Sequence, residues 1–266
     1  MKKLTSLLLA FVIILSVFAF GGCGESDKTI KVGASPSPHA DILEQCRAYV
    51  ESKGFKLEIV EFTDYVIPNT ETEAGSLDAN YFQHLPYLKD FNIKHKTNLV
   101  SVLDVHFEPL GIYKGEKGTT LANLKKGDKI IIPDDMTNGA RALKLLDLNG
   151  VISITNDKGL ETTIKDCDTK GLDVYPLKAS LIAAQLPEVA FAVINGNYAV
   201  DFKITDKVVA SEDLDSEAAK TYGNILVVKA GNEKKDKTQV LIDALSQQSV
   251  KDFITKTYDG RVVLSK

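Results

Sequence analysis

The sequence predicts an α/β protein, because short apolar strands alternate with amphipathic helices along the chain from residue 28 onward. The body opens on a strand, a helix and a second strand, which together predict a βαβ unit and hence a parallel sheet. No low-complexity tract, internal repeat or clean linker interrupts the body. That continuity is compatible with two lobes joined by crossing connections, which periodicity by itself does not decide.

The N-terminal segment has the layout of an exported protein's signal peptide. Lys2 and Lys3 precede the apolar run Leu4–Phe20, and two glycines then lead to Cys23. A cysteine after two small residues resembles a bacterial lipobox, although Phe20 stands where such motifs usually carry leucine. We predict a signal peptide over residues 1–22 and a lipidated linker over residues 23–27. The alternative is a transmembrane anchor, since the run is just long enough to span a bilayer; either would place the body outside the cytoplasmic membrane.

The body is mildly acidic. Cleavage before Cys23 removes two lysines, so the net charge moves from −4 to −6, with 30 Lys and Arg against 36 Asp and Glu. Scattered charges of this balance give no sign of nucleic-acid binding. Only Cys46 and Cys167 remain, with no CxxC and no Cys/His cluster, so we expect no metal site and no cofactor. A Cys46–Cys167 disulfide stays open for an exported chain.

The opening βαβ unit consists of the strand Thr29–Gly33, the helix His39–Lys53 and the strand Leu57–Phe62. The helix carries apolar residues at helical spacing, and Gly54 stands where a helix C-terminal glycine belongs.

The same two patterns define the later elements. The stretch Gly75–His95 is expected to be helical and interrupted at Pro86. Apolar runs predict strands at Leu99–Phe107, Lys129–Ile132, Leu172–Leu177, Val189–Ile194 and Ile225–Val228. Helical periodicity predicts helices at Asn138–Leu148, Ser180–Leu186, Lys237–Leu245 and Ser249–Tyr258.

The motifs of common enzyme classes are missing from the chain. There is no GxSxG, SxxK, HExxH, P-loop or GxGxxG. Asp134 and Asp135 form a carboxylate pair, but they precede a predicted helix, where acids commonly cap free N–H groups. The histidines, none of which has a metal-like partner at close helical spacing, are His39, His84, His95 and His106. We therefore expect a protein that is not an enzyme.

Polar and aromatic residues cluster where predicted strands end. The clusters are Phe62–Tyr65, Asp78–His84, His106–Pro109 and Ile194–Tyr198. Asp78–His84 is expected to place its aromatic, amide and imidazole groups within one or two helical turns. Ligands of open α/β sheets bind beyond the carboxyl ends of strands, so these segments are expected to converge on one cleft.

Arg141 is placed in the first turn of the predicted helix Asn138–Leu148. A cation there does not complement the helix dipole, which favours cations at the other end. The guanidinium fork and the adjacent free N–H groups would suit a carboxylate. The alternative is a solvated arginine or a surface salt bridge.

Several long motifs make the chain resemble the methionine-binding lipoproteins of bacterial ABC importers over nearly the whole mature length. They are Val32–Ala40, Phe62–Asn69, Leu77–His84, Thr137-Asn138 with Arg141-Ala142-Leu143, Ile194–Ala199 and Asn224–Val228. The resemblance implies a two-lobed periplasmic-binding-protein fold of type II-like arrangement, with the ligand cleft between the lobes. It implies one lobe over residues 28–109 and 228–266 and the other over residues 110–227.

The resemblance also implies a function, namely capture of methionine at the extracytoplasmic face by a lipid-anchored protein. The partners it implies are an ABC permease and its ATPase. The arginine of the TN…RAL motif, here Arg141, would hold the ligand carboxylate, while Asn195 and Asn224 would hold the polar end. The residues implied for the pocket wall are Tyr65, Tyr81, Phe82 and His84, and His106 and Glu108 match a further motif near the cleft.

Departures from the family pattern leave the exact identity of the ligand open. Asp134 and Met136 replace a common Asn and Pro, and Gly139 stands where a charged residue is frequent. The preference between D- and L-methionine therefore stays open, as does binding of another amino acid or a methionine-containing dipeptide. Two other classes are a surface-attached enzyme acting on amino-acid derivatives, with His84 or the Asp134–Asp135 pair as its only candidates, and a surface antigen without a small ligand.

Overall fold

The structure is a computed structural model that describes residues 28–265. The predicted signal peptide and the lipidation residue Cys23 lie outside the described residues. Within residues 28–265 the chain forms two main β-sheets with helices packed on them. No helix in that part of the chain is both long enough and apolar enough to cross a membrane.

Strands and helices alternate along most of the described chain. The strands, numbered along the chain, are β1 (Thr29–Ala34), β2 (Lys56–Glu61), β3 (Ala79–His84), β4 (Leu99–Phe107), β5 (Gly111–Lys114), β6 (Lys129–Pro133), β7 (Ser153–Ile154), β8 (Cys167–Asp168), β9 (Asp173–Leu177), β10 (Phe191–Ile194), β11 (Val208–Ser211), β12 (Gly223–Lys229) and β13 (Val263–Leu264). The α-helices are Asp41–Glu44, Arg47–Ser52, Ile67–Ala74, Leu85–His95, Met136–Leu148, Ala179–Ile182, Gly196–Asp201, Glu217–Thr221, Asp236–Leu245 and Gln248–Tyr258.

The two sheets are built on the same plan. The first has the order β13-β4-β12-β3-β1-β2 and the second the order β11-β5-β10-β6-β9. In each sheet three neighbouring strands are parallel, namely β2, β1 and β3 in the first and β9, β6 and β10 in the second. The next strand, β12 in the first sheet and β5 in the second, is antiparallel to its neighbour. The chain forms this strand just after it crosses from the other sheet. The chain crosses once between β4 and β5 and returns between β11 and β12, which confirms the predicted two-lobed α/β architecture.

The return crossing ends before β12. This strand pairs with β3 and β4 of the first sheet within Gly223–Lys229. The implied boundary between residues 227 and 228 therefore falls inside a strand of the first sheet. The division of the chain into 28–109, 110–227 and 228–266 stays a prediction.

The expected helix over Gly75–His95 is wrong in its first half. Residues Ala79–His84 form β3, a strand between β1 and β12 in which every residue is buried. A strand covered on both faces shows no apolar–polar alternation, so its sequence does not separate it from a buried helix. Pro86 lies in the first turn of the helix Leu85–His95, where proline is tolerated, and breaks nothing.

The other predicted elements are present, with ends shifted by a few residues. The predicted helix His39–Lys53 is divided near Cys46 into two shorter helices. Eight further elements are not predicted by the sequence. They are the strands Gly111–Lys114, Ser153–Ile154, Cys167–Asp168, Val208–Ser211 and Val263–Leu264 and the helices Ile67–Ala74, Gly196–Asp201 and Glu217–Thr221. These elements are short, and the strands β5, β11 and β13 pair with strands from distant parts of the chain.

Candidate functional site

A cavity lies between the two lobes, where strands of both sheets end. His84 closes β3, Glu108 follows β4 directly and Asn195 follows β10, as the rule for ligand sites in open α/β sheets requires. The residues that line the cavity are Tyr65, Phe82, Gln83, His84, Tyr87, Glu108, Asn138, Arg141, Asn195, Gly196, Asn197 and Asn224.

The cavity is narrow. It contains about 350 Å³ of empty space when its solvent-open part is included, but only about 20 Å³ of that space is wide enough for a water-sized guest. With the lining side chains in their present positions, this smaller volume holds little more than one water molecule. Any larger ligand therefore requires the lining side chains or the lobes to move apart.

Six of the seven ligand contacts implied by the resemblance line this cavity, and Tyr81 does not. Tyr81 is fully buried one layer behind, where its ring lies against His39 and its hydroxyl contacts His106. The reason is the strand conformation of Ala79–His84, because neighbouring side chains of a strand point to opposite faces. Phe82 and Tyr81 therefore do not form one wall, as a helix would have allowed.

Arg141 is buried, with 5% of its surface exposed, and its guanidinium is already oriented. Its Nε donates to Glu212 Oε1 at 2.7 Å and its Nη2 donates to Glu212 Oε2 at 2.5 Å. Nη2 also donates to the Glu108 main-chain carbonyl at 3.0 Å, and the ring centroid of Tyr222 lies 4.3 Å from the guanidinium carbon. Within the described residues, Nη1 has no hydrogen-bond partner, so this nitrogen is available to a ligand.

Glu212 joins Arg141 to the point where the chain crosses between lobes. Its Oε2 accepts from the Leu110 backbone N–H at 2.9 Å, and its own backbone N–H donates to the Leu110 carbonyl at 3.0 Å. The surface-salt-bridge alternative for Arg141 is thereby wrong, since the side chains of the pair are 4% and 8% exposed.

The helix that carries Arg141 begins at Met136, so Arg141 lies in its second turn. The free N–H groups at the helix start are not an anion site, because Asp135 caps them and accepts from the Asn138 backbone N–H at 2.9 Å. The predicted capping role of this carboxylate pair is confirmed for Asp135, whereas Asp134 is exposed.

Glu108 is a buried carboxylate, 5% exposed, on the same cavity. Its Oε1 accepts from His106 Nε2 at 2.7 Å and lies 3.4 Å from His39 Nε2. Desolvation by burial raises the pKa of Glu108, while His39, the Asn197 backbone N–H and Arg141 oppose that rise. A carboxylate with two oxygens retains capacity to accept from a further donor.

The histidines behind Glu108 are uncharged. Burial lowers the pKa of His39 to about 4 and that of His106 to about 3. His106 must place its single proton on Nε2, which faces Glu108, so its Nδ1 accepts from the Tyr81 hydroxyl. The role of Tyr81 is therefore to fix the tautomer of His106, and the acidic group at the cavity is the Glu108 carboxyl.

The two predicted asparagines are each held by one partner. Asn195 Nδ2 donates to Asn138 Oδ1 at 2.8 Å, and Asn224 Oδ1 accepts from His39 Nε2 at 2.9 Å. Asn195 Oδ1 is a buried acceptor that has no hydrogen-bond partner among the described residues. An unsatisfied buried carbonyl costs free energy, so a ligand donor at this oxygen is favoured.

Aromatic rings form the apolar side of the cavity. The ring centroid of Tyr65 lies 5.8 Å from that of Phe82 and 5.9 Å from that of Tyr87. His84 completes this side as a neutral ring, because burial and the neighbouring Arg141 lower its pKa to about 3. These side chains provide an apolar wall with polarisable faces.

Contacts across the cleft join the two lobes around the cavity. The Tyr65 hydroxyl donates to Asn197 Oδ1 at 2.6 Å, and Lys178 Nζ lies 2.5 Å from Asp64 Oδ2. The Tyr198 hydroxyl donates to the carbonyl of Thr63 at 2.9 Å. These contacts hold the two lobes together over the cavity.

Within residues 28–265, one group of histidine and acidic side chains has ligand atoms close enough to hold a metal ion. It consists of His39, His106 and Glu108, whose atoms lie within 4.8 Å of one another. In this arrangement His106 and His39 face the same Glu108 oxygen, and His39 also binds Asn224. Hydrogen bonding accounts for these contacts without an ion.

Glu108 is expected near the cleft without a role, and Gln83, Tyr87, Asn138 and Asn197, which also line the cavity, are not among the expected ligand contacts. All but Tyr87 lie inside the motifs quoted above. Gln83 and Asn197 lie at or near strand ends, the position that marks ligand sites, whereas Tyr87 and Asn138 lie within helices.

Comparison with known proteins identifies a family and several relatives to which this chain is similar. A family model described as "NlpA lipoprotein" matches residues 30–265. The methionine-binding lipoprotein MetQ of Bacillus subtilis is 34% identical over 273 residues, 99% of this chain and 98% of the relative. A nutrient binding protein from Burkholderia cenocepacia, solved bound to methionine, has a TM-score of 0.82 and 33% identity, covering 89% of this chain and 100% of that one. A structure from Ruminococcus gnavus has a TM-score of 0.87 and 46% identity over 90% of this chain and 100% of that one.

Proposed function

The chain belongs to the NlpA lipoprotein family, and we propose that it captures methionine outside the cytoplasmic membrane and delivers it to an ABC importer. It does so as a lipid-anchored substrate-binding protein and not as an enzyme. Its partners in this role are the permease of the importer and the ATPase that drives it.

The observation that carries this proposal is a pair of opposite buried charges on one cavity. Arg141, which Glu212 already holds in place, supplies the cation and Glu108 the anion, and the histidines beside them are neutral. The guanidinium binds the main-chain carbonyl of Glu108, so the two groups are neighbours. A free α-amino acid carries its carboxylate and ammonium on one carbon, which matches two adjacent charges of opposite sign. A zwitterion leaving water requires both of its charges to be paired.

The hydrogen-bonding groups of the cavity likewise divide into a donor for the ligand carboxylate and acceptors for its ammonium group. Nη1 of Arg141 offers a donor to the ligand carboxylate, while Glu108 and Asn195 Oδ1 offer acceptors to the ammonium. A charge-assisted hydrogen bond contributes about 1.5–3 kcal/mol. Several such bonds, less the cost of association, are sufficient for the roughly 8 kcal/mol of a micromolar complex.

The aromatic wall suits a thioether side chain. Tyr65, Phe82 and Tyr87 bring their ring edges and faces to one side of the cavity. Burying a methionine side chain contributes about 1.5–3 kcal/mol, and sulfur beside an aromatic ring adds up to about 1 kcal/mol. Methionine is the ligand of the B. cenocepacia structure and part of the name of the B. subtilis relative.

The protein should retain or rebind methionine. We expect native mass spectrometry of the body from Gly24 onward to release a mass matching methionine, and titration calorimetry after refolding to show binding of added L-methionine. Parallel titrations with D-methionine, the other amino acids and methionine-containing dipeptides define the selectivity. A protein that is empty and ignores methionine while binding another of these ligands would overturn the methionine assignment but keep the binding role. Turnover of methionine esters or amides would overturn the non-enzymatic role.

Changing Cys23 to alanine tests the lipid anchor. We expect the full-length variant to leave the membrane fraction and become soluble or secreted, because no thiol remains to carry the lipid. Fractionation followed by immunoblotting measures the distribution, with Cys46→Ala as the matched control because that thiol is buried in the folded body. A Cys23→Ala protein that stays with membranes to the wild-type extent would contradict lipidation at this residue.

A further inference from the structure

Asp135 lies beside the cavity and makes more contacts than a helix cap requires. Besides the backbone N–H of Asn138, its Oδ1 accepts from the Thr137 hydroxyl at 3.1 Å. It also receives the Asn138 side chain, whose Nδ2 donates to Asp135 Oδ1 and Oδ2, each at 3.0 Å. The carboxylate therefore has two functions on one residue, capping the helix Met136–Leu148 and binding a side-chain amide.

An amide has two ends of similar shape, and its orientation follows from its hydrogen-bond partners. A carboxylate accepts and has no hydrogen to give, so Asn138 must turn its Nδ2 toward Asp135. Its Oδ1 is then turned toward Asn195, whose Nδ2 donates to it at 2.8 Å. Asn195 is left with Oδ1 as its free end, and that oxygen is buried on the cavity without a partner among the described residues.

His84 is compatible with the same orientation. Its Nδ1 accepts from the Tyr87 backbone N–H at 3.2 Å, so the neutral ring carries its proton on Nε2 and donates to Asn138 Oδ1 at 3.3 Å. This contact is longer than the two contacts to Asp135 and lacks their charge, so it is the weaker constraint. Asp135 decides which way the amides of Asn138 and Asn195 face.

We propose that Asp135 is a positioning residue that, through Asn138, fixes Asn195 Oδ1 as an acceptor for the ligand's ammonium group. The inference rests on the proposed binding of an α-amino acid. Part of the specificity for an amino group, beyond that supplied by Glu108, then originates at a carboxylate separated from the ligand by two asparagines.

The isosteric change Asp135→Asn tests this arrangement. The new amide can keep its oxygen on the Asn138 backbone N–H and on one of the two Asn138 Nδ2 contacts, but its nitrogen then opposes Asn138 Nδ2 in the other. This loss weakens the preference for the present orientation and favours rotation of the Asn138 amide. Asn195 must turn in response, and its Nδ2 then faces the ammonium. We expect the affinity for L-methionine to fall by about tenfold or more, since a charge-assisted hydrogen bond is replaced by repulsion.

The affinity for the α-hydroxy analogue of L-methionine distinguishes a positioning role of Asp135 from a merely structural one. A hydroxyl both donates and accepts, so it tolerates either orientation of Asn195. We expect its affinity to change by less than about threefold, so that selectivity for methionine over the analogue falls. Asp134→Asn removes the same charge from the exposed neighbouring carboxylate and is the matched control. Equal loss of both ligands, or an Asp135→Asn protein that matches Asp134→Asn, would overturn the proposal.

A measurement without ligand separates this inference from the proposed function. In protein labelled with ¹⁵N-asparagine, the side-chain NH₂ signal of Asn195 should exchange slowly in the wild type and in Asp134→Asn, and should shift or double in Asp135→Asn. Unchanged signals would overturn the positioning role whether or not methionine binds. If Asp135→Asn fails to fold, Asp135→Ser keeps a capping oxygen and should show the same loss of selectivity to a smaller extent; a Ser variant with wild-type selectivity would overturn the proposal.

Discussion

Replacing Arg141 with alanine is expected to weaken methionine binding by at least tenfold, which corresponds to about 1.4 kcal/mol. The guanidinium is the only cation that lines the cavity between the lobes in the described part of the chain, and Glu212 and the Glu108 carbonyl hold it in place before any ligand arrives. Preorganisation of this kind reduces the entropy cost of binding. Titration calorimetry with L-methionine measures the loss.

The same substitution removes the partner of Glu212, whose side chain is only 8% exposed. Breaking a buried ion pair on one side costs about 3–5 kcal/mol of folding free energy, so Arg141→Ala by itself confounds binding with stability. The double change Arg141→Ala with Glu212→Gln removes the unpaired charge and should recover much of the stability without recovering affinity. Lys144→Ala, on the exposed face of the same helix, is the charge-matched control. A folded double variant with wild-type affinity would show that the carboxylate site is elsewhere.

Replacing Glu108 with glutamine is expected to lower methionine affinity by about tenfold or more, while the unfolding free energy at neutral pH stays the same or rises. The two effects have opposite signs because burial of the Glu108 charge costs folding free energy, while the same charge pairs with the ammonium of the ligand. Glutamine keeps the shape of the Glu108 side chain, and its amide oxygen can still accept from His106 Nε2. A parallel loss of affinity and stability would mean that Glu108 is a structural residue. Glu116→Gln, at an exposed position, controls for net charge.

The pH dependence follows from the raised pKa of Glu108. The folded state binds this proton more readily than the unfolded state, so the cost of burying the charge is absent in acid and complete above the folded pKa. The stability gap between Glu108→Gln and wild type should therefore close as the pH falls. Methionine affinity of the wild type should fall over the same range, because a protonated Glu108 has no charge for the ammonium. A wild-type affinity that follows the profile of Glu108→Gln through this range would contradict the role of Glu108.

The two residues behind these predictions differ in how far the sequence could identify them. Arg141 stood out because an arginine early in a leucine-rich helix has no local purpose. Its tertiary partner, Glu212, was not predictable, since 71 positions separate the two residues and the pair forms only where the chain crosses between lobes. Glu108 was noted from its motif, but its burial against two neutral histidines depends on residues that lie far apart in the chain meeting at the cavity.

The α/β class, the parallel βαβ opening, most of the helices and strands and the family pattern could all be predicted from sequence, because periodicity and turn residues are local properties. The strand at Ala79–His84 could not, since burial on both faces erases the alternation that marks a strand. That conformation places Tyr81 behind the cavity and Phe82 on it. The connection from Asp135 through Asn138 to Asn195 likewise depends on three-dimensional packing, because an amide has no preferred direction until its neighbours in space supply donors and acceptors.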